Sequence, residues 1–161
     1  MDTTNTASNQ HVRETVASFL STVAEIMSVS VRSLTPDQPL ADAVAAFNEY
    51  GFRHMLVVNA AGDLVGVLSD RDVLRAMARG VSGTATVSQV MSRGGVTVTP
   101  ESPITDAIDL VVFHRINCLP VVDGNGALRG VLTTTDLLGA LHEILNRLRP
   151  RVRRQPPPAT Q

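Results

Sequence analysis

Two short stretches combine residue types that could hold an anion next to a vicinal diol. In each, a hydroxyl residue is followed three positions later by an aspartate: Ser69 with Asp72, and Thr133 with Asp136. Each pair follows an apolar Gly-Val-Leu run and precedes apolar residues at helical spacing, which predicts that a strand ends and a helix begins there. Free N–H groups and the helix dipole favour phosphate at such a point, and a carboxylate can accept hydrogen bonds from a diol. The alternative is a helix cap, which stabilises the helix start by about 1 kcal/mol without any ligand.

Basic residues accompany only the first of these motifs. Arg53 and His54 precede a run that is typical of a buried strand, and Arg71 lies inside the motif. A guanidinium can bind phosphate through two parallel hydrogen bonds. A solvated surface position is the alternative for each of the three. The second motif offers the hydroxyls of Thr133 to Thr135 without a nearby cation.

The motifs belong to an internal repeat with a period of 64 residues. About a third of the positions from Ile26 to Met77 recur without a gap, far beyond chance. The shift places Thr35-Pro36 on Thr99-Pro100, Pro39 on Pro103, Val57-Val58 on Val121-Val122, Gly66-Val67-Leu68 on Gly130-Val131-Leu132, and Asp72 on Asp136. A unit of roughly 55 residues is marginal alone, so we expect the two units to pack sheet to sheet as one body with pseudo-twofold symmetry.

The pattern within each unit predicts the order strand, helix, strand, strand, helix, and therefore an α/β (α+β) fold. For the first unit we expect an extended piece at 29–34, a helix at 39–50, strands at 55–58 and 64–68, and a helix at 71–79. In the second unit the last helix is expected at 134–148, and the Gly124–Gly130 stretch is expected to form a hairpin turn.

Segments outside the repeat complete the predicted organisation. Apolar residues at helical spacing predict one amphipathic helix from Val12 to Met27 that leads into the first unit. We assign residues 1–10 as a disordered N-terminus, 11–80 as the first unit, 81–88 as a linker, 89–148 as the second unit and 149–161 as a disordered Arg/Pro tail.

The charge balance and the cysteine content indicate in which cellular compartment the protein works and which classes of partner it can bind. All 14 Lys+Arg residues are Arg, against 15 acids, and five of them lie in residues 147–161, which contain no acid. The remaining 146 residues carry 9 Arg and 15 acids, a balance of about −6 that gives the folded part no general attraction for nucleic acid. The single cysteine, Cys118, excludes an intrachain disulfide, and no apolar run reaches the roughly 20 residues of a membrane span. We expect a cytoplasmic protein that does not interact with membranes.

The repeat resembles the CBS domain, and the pair of units is similar to a Bateman module. The resemblance covers about residues 23–145. It depends on Glu25-Ile26-Met27, the two Thr-Pro pairs, Arg-His-x-x-Val-Val at Arg53 to Val58, Leu-Pro-Val-Val-Asp at Leu119 to Asp123, and the hydroxyl-x-x-Asp motifs, all in the same order. It implies a dimerising regulatory module that binds adenosine derivatives in clefts between the units: AMP, ADP, ATP, and also S-adenosylmethionine or NAD.

Carried over residue by residue, the resemblance implies specific roles. Ser69 and Thr133 help to hold phosphate, Asp72 and Asp136 take the ribose hydroxyls, and Arg53 and His54 form the basic pair for phosphate. In the second unit that pair is replaced by Asn117 and Cys118. The adenine wall is implied to come from Val31, Arg32 and Phe52 in one unit and from Val96 and Ile116 in the other.

These residues favour the Ser69 motif as the nucleotide site. The cleft of the Thr133 motif is open to three alternatives: it binds a less charged ligand, borrows Arg53 or His54 across the unit interface, or stays empty. No catalytic motif and no metal-ligand spacing is present, so we expect neither an enzyme nor a metal site. Two other functions stay open, a ligand-free dimerisation scaffold and a nucleic-acid-associated regulator that acts through the Arg tail. The sequence does not name the regulated protein.

Overall fold

The computed structural model describes residues 22–148, and it consists of two units related by the 64-residue shift. The first unit contains β1 (Ser33–Leu34), α1 (Leu40–Tyr50), β2 (His54–Val58), β3 (Leu64–Ser69) and α2 (Asp70–Ala78). The second contains α3 (Ile104–His114), β5 (Cys118–Val122), β6 (Leu128–Thr133) and α4 (Thr134–Leu148), and the strand before it, β4 (Ser92–Arg93), joins the sheet of the first unit. The predicted fold class is confirmed. Within the described range, no helix is long and apolar enough to cross a membrane.

Each unit is built on a small sheet with the same strand order. In the first, β1 pairs with β2 in parallel, β2 with β3 antiparallel, and β3 with β4 antiparallel. In the second, β5 pairs with β6 antiparallel, and single bridges from Val98 to Val121 and from Ser28 to Val131 take the places of the outer strands. The predicted extended piece at 29–34 contributes only the two residues of β1.

Two leading segments, residues 22–28 and 86–92, are exchanged between the units. Thr22 bridges Pro103 of the second unit, whereas Thr86 bridges Pro39 of the first. The buried Val23 packs in the core of the second unit, and Val87 packs in the core of the first. The predicted boundaries at residues 80 and 88 therefore do not coincide with the packing units.

The predicted helix from Val12 to Met27 is wrong in its described part, and its residues before Thr22 lie outside the described range. Only a 3-10 turn forms, at Val23–Glu25. Tertiary contacts explain the difference, because the N–H groups of Val23 and Ala24 donate to carbonyls of the second unit and not to carbonyls one helical turn earlier. Residues 1–10 and the Arg/Pro tail at 149–161 also lie outside the described range.

The helix boundaries follow local chemistry. Pro39 and Pro103 precede α1 and α3 with φ of −58°. Gly51 ends α1 in the left-handed region, at φ 66°. In the second unit Arg115 takes the same role at φ 54°, the one non-glycine residue with positive φ in the described chain. The repeat therefore preserves this turn although its glycine has been replaced.

The two hairpin turns meet at the pseudo-twofold axis. The Leu64 N–H donates to the Gly126 carbonyl at 3.3 Å, and the Leu128 N–H donates to the Gly62 carbonyl at 3.2 Å. The Asn59 and Asp123 side chains brace the turns by accepting two backbone N–H groups each. The predicted hairpin turn is thus confirmed for the first part of the Gly124–Gly130 stretch, whereas its last three residues belong to β6. Its contacts fix the two units against each other.

Candidate functional site

Both hydroxyl-x-x-Asp motifs form a helix cap. The Ser69 hydroxyl donates to Asp72 Oδ2 at 2.6 Å and accepts the Asp72 N–H at 3.1 Å. The Thr133 hydroxyl donates to Asp136 Oδ2 at 2.6 Å and accepts the Asp136 N–H at 3.3 Å. Each cap leaves one carboxylate oxygen, Oδ1, outside it. The capping alternative is therefore confirmed, and it leaves room for a ligand role.

A cavity of about 720 Å³ lies between the units at the second of these caps. Its wall joins loops of the first unit, next to β1 and β2, to the end of β6 and the start of α4. Of the residues predicted to bind a ligand, those in its wall are Val31, Arg32, Phe52, Arg53, His54, Asn117, Thr133 and Asp136. We name this cavity the Thr133 cleft.

The pseudo-twofold relation defines a second cleft at the other cap. The repeat shift exchanges Thr133 with Ser69, Arg32 with Val96, and Phe52 with Ile116. Because the strand pairings obey the same shift, Val96 and Ile116 belong with Ser69 and Asp72. We name this place the Ser69 cleft. The Thr133 cleft thus combines a motif of the second unit with wall residues that come from both units.

Arg32 is held at the rim of the Thr133 cleft by an aromatic side chain. Its guanidinium lies 4.1 Å from the centroid of the Tyr50 ring, and the Tyr50 and Phe52 rings are 5.7 Å apart. A cation over an aromatic face is held electrostatically and keeps its outer N–H groups for another partner. Arg32 therefore offers the cleft a positioned positive charge, in addition to the hydrophobic stem that an adenine wall requires.

Arg53 and His54 lie where the two clefts adjoin. Both are in the wall of the Thr133 cleft, while the Arg53 carbonyl accepts the Asp70 N–H at the start of α2. Burial lowers the pKa of His54 below its ordinary value of 6.5, against the opposing effect of the Asp70 and Asp72 charges. The imidazole is therefore mainly neutral at pH 7. The two residues are close to both motifs, and not only to the Ser69 motif with which the sequence grouped them.

Asn117 and Cys118 replace that basic pair in the second unit. The Asn117 carbonyl accepts the Thr134 N–H, and its side-chain oxygen accepts the Thr134 hydroxyl at 3.2 Å. Burial, with a smaller contribution from the Asp136 charge, raises the pKa of the Cys118 thiol to about 11. The thiol is thus protonated at neutral pH and serves as a small buried group in the cleft wall.

Sequence reasoning missed part of the Thr133 cleft. Thr134 and Thr135 were noted only as hydroxyls of the second motif, and the wall residues given no site role are Ser28, Ser30, Gly51, Leu56, Cys118, Val131 and Leu138. Ser28 reaches the wall because its leading segment crosses to the edge of β6. The repeat alone could not reveal that crossing. No cluster of three metal-ligating side chains occurs within residues 22–148.

Comparisons with known proteins agree with this architecture. The CBS domain family model matches residues 23–79 and 87–143. The CBS domain-containing protein YhcV of Bacillus subtilis is 35% identical over 119 residues, which cover 73% of this chain and 84% of that protein. The inosine-5'-monophosphate dehydrogenase of Nitrosopumilus maritimus is 31% identical over 112 residues, 70% of this chain but only 22% of that enzyme.

Among solved structures, the crystal structure of CBSX2 in complex with AMP superposes with a TM-score of 0.70. The two chains are 26% identical, and the alignment covers 78% of this chain and 98% of CBSX2. Both the tandem arrangement and the family resemblance inferred from the sequence are therefore confirmed.

Proposed function

This chain belongs to the CBS domain family as a tandem pair, and we propose that it is a regulatory module that binds an adenine nucleotide (AMP, ADP or ATP) in the Thr133 cleft. The observation that carries the proposal is the cavity, which brings a helix-capping Thr133–Asp136 pair together with Arg32 and Arg53. CBSX2, whose structure contains AMP, supports the choice of ligand. The role is regulatory, with no chemical step assigned to the chain.

Each part of the nucleotide has complementary groups in the cleft. Val31 and Phe52, with the stem of Arg32, provide an apolar wall for the adenine ring. The second oxygen of Asp136, which the cap leaves outside, suits the ribose diol. The start of α4 and the Arg53 guanidinium favour the phosphate by dipole and charge.

Thermal melts test the proposal directly. We would measure the melting temperature with AMP, ADP, ATP, S-adenosylmethionine and NADH at millimolar concentration. A ligand at 100 times its Kd adds about 2.7 kcal/mol to the free energy of unfolding. A melt that none of these compounds moves, with the chain folded, would falsify the proposal.

Paired variants then locate the ligand. Asp136→Ala should abolish the AMP-dependent shift, because it removes the proposed ribose acceptor. Asp72→Ala removes the equivalent carboxylate of the other cap and should leave the shift unchanged. Each variant loses the carboxylate of an equivalent helix cap, so the melting temperatures of the two variants without ligand show whether both still fold.

For the signal, we propose that two chains associate through exposed apolar helix faces and that a partner protein reads the change on binding. α4 exposes Leu138, Leu141, Leu145 and Leu148 at spacings of three and four residues. Such a stripe is self-complementary around a twofold axis. Light scattering should give twice the chain mass, and Leu141→Glu with Leu145→Glu should give the monomer. A nucleotide shifts the assembly only by its differential affinity for the two states.

The two other functions predict different results. A ligand-free scaffold would form the dimer and give flat melts with every nucleotide. A regulator that acts through the Arg tail would bind nucleic acid with steep salt dependence, and deletion of residues 147–161 would abolish that binding.

A further inference from the structure

We infer that the chain binds one phosphate-bearing nucleotide, in the Thr133 cleft, and that Asp70 and Arg75 keep such nucleotides out of the Ser69 cleft. This inference depends on the proposed function and adds its stoichiometry and selectivity. Under the repeat shift Asp70 is exchanged with Thr134, and Arg75 with Gly139. The two clefts therefore differ in charge at two equivalent positions of the helix that follows each motif.

Asp70 occupies the helix start that a phosphate would need. Its Oδ1 accepts the Arg71 N–H at 2.7 Å, so an internal carboxylate takes the second N–H of α2, the first being donated to the Arg53 carbonyl. A bound phosphate would have to displace this carboxylate and would be repelled by its charge. The positive Arg71 side chain is exposed and does not free that N–H.

At the equivalent position of the Thr133 cleft, Thr134 is neutral and its side chain is hydrogen-bonded away from the helix start. The Thr134 hydroxyl donates to Asn117 across the strand end. Within residues 22–148, the Thr135 N–H meets no protein acceptor. The start of α4 therefore keeps a donor and the full dipole for an anion.

The second difference concerns the aspartate of each motif. Arg75 lies one helical turn after Asp72, with its Nη1 3.6 Å from Asp72 Oδ1, the oxygen that the cap leaves outside. Asp136 has Gly139 at that spacing, and among the described residues no cation lies within ion-pair distance of it. Asp136 Oδ1 is thus available to a diol, whereas Asp72 Oδ1 already faces a guanidinium.

The test exchanges the two pairs of residues and counts bound AMP by equilibrium dialysis. The wild-type chain should bind one AMP per chain. Asp70→Thr with Arg75→Ala should raise the stoichiometry to two, with Asp70→Asn as a partial step. Thr134→Asp should weaken AMP binding about tenfold. Thr134→Asn introduces a side chain of the same shape as Asp but without the charge, and it should retain AMP binding. Gly139→Arg should also weaken binding, and the space around Gly139 is open, so the new side chain fits.

The outcomes separate the two proposals. Two AMP molecules per wild-type chain, or one AMP lost in Asp72→Ala and kept in Asp136→Ala, would overturn the inference on selectivity while nucleotide binding stands. Equal affinities for Thr134→Asp and Thr134→Asn would overturn the role of the charge. No AMP binding by the folded wild-type chain would overturn both proposals.

Discussion

The Thr133 and Ser69 clefts share a motif and the strand before it but differ in the charged and aromatic residues around them. In both, a hydroxyl donates to the aspartate at 2.6 Å and caps a helix. Around one cap lie a stacked Arg32 and the aromatic Phe52; the equivalent positions of the other carry Val96 and Ile116. The cap is therefore a requirement of the fold, which each unit must satisfy. Ligand choice is left to neighbours that the fold does not constrain.

This comparison also explains why the motif alone favoured the other cleft. Arg53 and His54 are close to Ser69 in the chain and in the sheet, where His54 is the strand partner of Ser69. The exchange of the leading segments then places the walls of the first unit over the motif of the second. Nearness along the chain thus identified cations that line the Thr133 cleft, but it grouped them with the Ser69 cap.

The largest expected effect comes from filling the space where the leading segments cross. A Cβ at Gly130 would lie 2.9 Å from the Ser28 carbonyl oxygen, and a Cβ at Gly66 would lie 2.7 Å from that of Ser92. We expect each Gly→Ala change to lower the free energy of unfolding by roughly 2 to 3 kcal/mol, measured by urea unfolding. Only Gly130→Ala should also weaken AMP binding, because Ser28 lies in the wall of the Thr133 cleft.

Gly139→Ala is the control for this pair. No atom lies within 4 Å of a Cβ built there, and the position is helical. It should therefore stabilise the chain by up to about 1 kcal/mol. If Gly66→Ala and Gly130→Ala lost AMP affinity equally, the proposal that the segment at Ser28 contacts only the nucleotide-binding cleft would be contradicted.

The next effect separates the cap from the ligand. Ser69→Ala and Thr133→Ala each remove a capping hydroxyl and should each cost about 1 kcal/mol of stability. Only Thr133→Ala should lower AMP affinity, by about tenfold, as measured by calorimetry. Thr133→Ser keeps the hydroxyl and should keep the affinity. A loss of affinity in Ser69→Ala as large as in Thr133→Ala would show that the clefts act alike.

A smaller effect is expected from the rim. Arg32→Ala removes the charge stacked on Tyr50 and should weaken AMP binding by about fivefold, with a lesser change for adenosine, which has no phosphate. Arg79→Ala removes an exposed Arg just after α2 and is the matched control. If AMP and adenosine lose affinity by the same factor, Arg32 acts as a wall of the adenine site and not as a phosphate contact.

Particular residues show which features of the fold and of the clefts could be predicted from the sequence. The repeat predicted the strand and helix order because apolar periodicity reports local burial, and the helix predicted at 39–50 ends at Tyr50. It could not show that Val23 serves the second core and Val87 the first, since either apolar side chain satisfies either core. It also left open whether Arg53 and His54 reach the Thr133 motif across the unit interface. Long-range packing decides both points, and the pattern of a single segment carries no information on it.

The smallest effect concerns the protonation of His54. Its folded-state pKa lies below 6.5 because the ring is half-buried. At pH values between the folded-state and the unfolded-state pKa of His54, the unfolded chain binds more protons than the folded chain. The free energy of unfolding therefore has its full value above pH 6.5 and falls as the pH drops below 6.5. A phosphate dianion in the adjoining Thr133 cleft should raise the His54 pKa, and AMP affinity should therefore increase from pH 8 to pH 7, a range above the second pKa of the phosphate at about 6.

An NMR titration of the imidazole protons measures this, with His54→Gln to assign the resonance. The His54 midpoint should lie below 6.5 without ligand and move up with AMP. Because His54 adjoins both clefts, the size of the AMP-induced shift in Asp70→Asn is decisive. If that variant doubles the stoichiometry, a second phosphate beside the ring should move the midpoint further. A midpoint that AMP leaves unchanged in every variant would remove His54 from the phosphate site of both clefts.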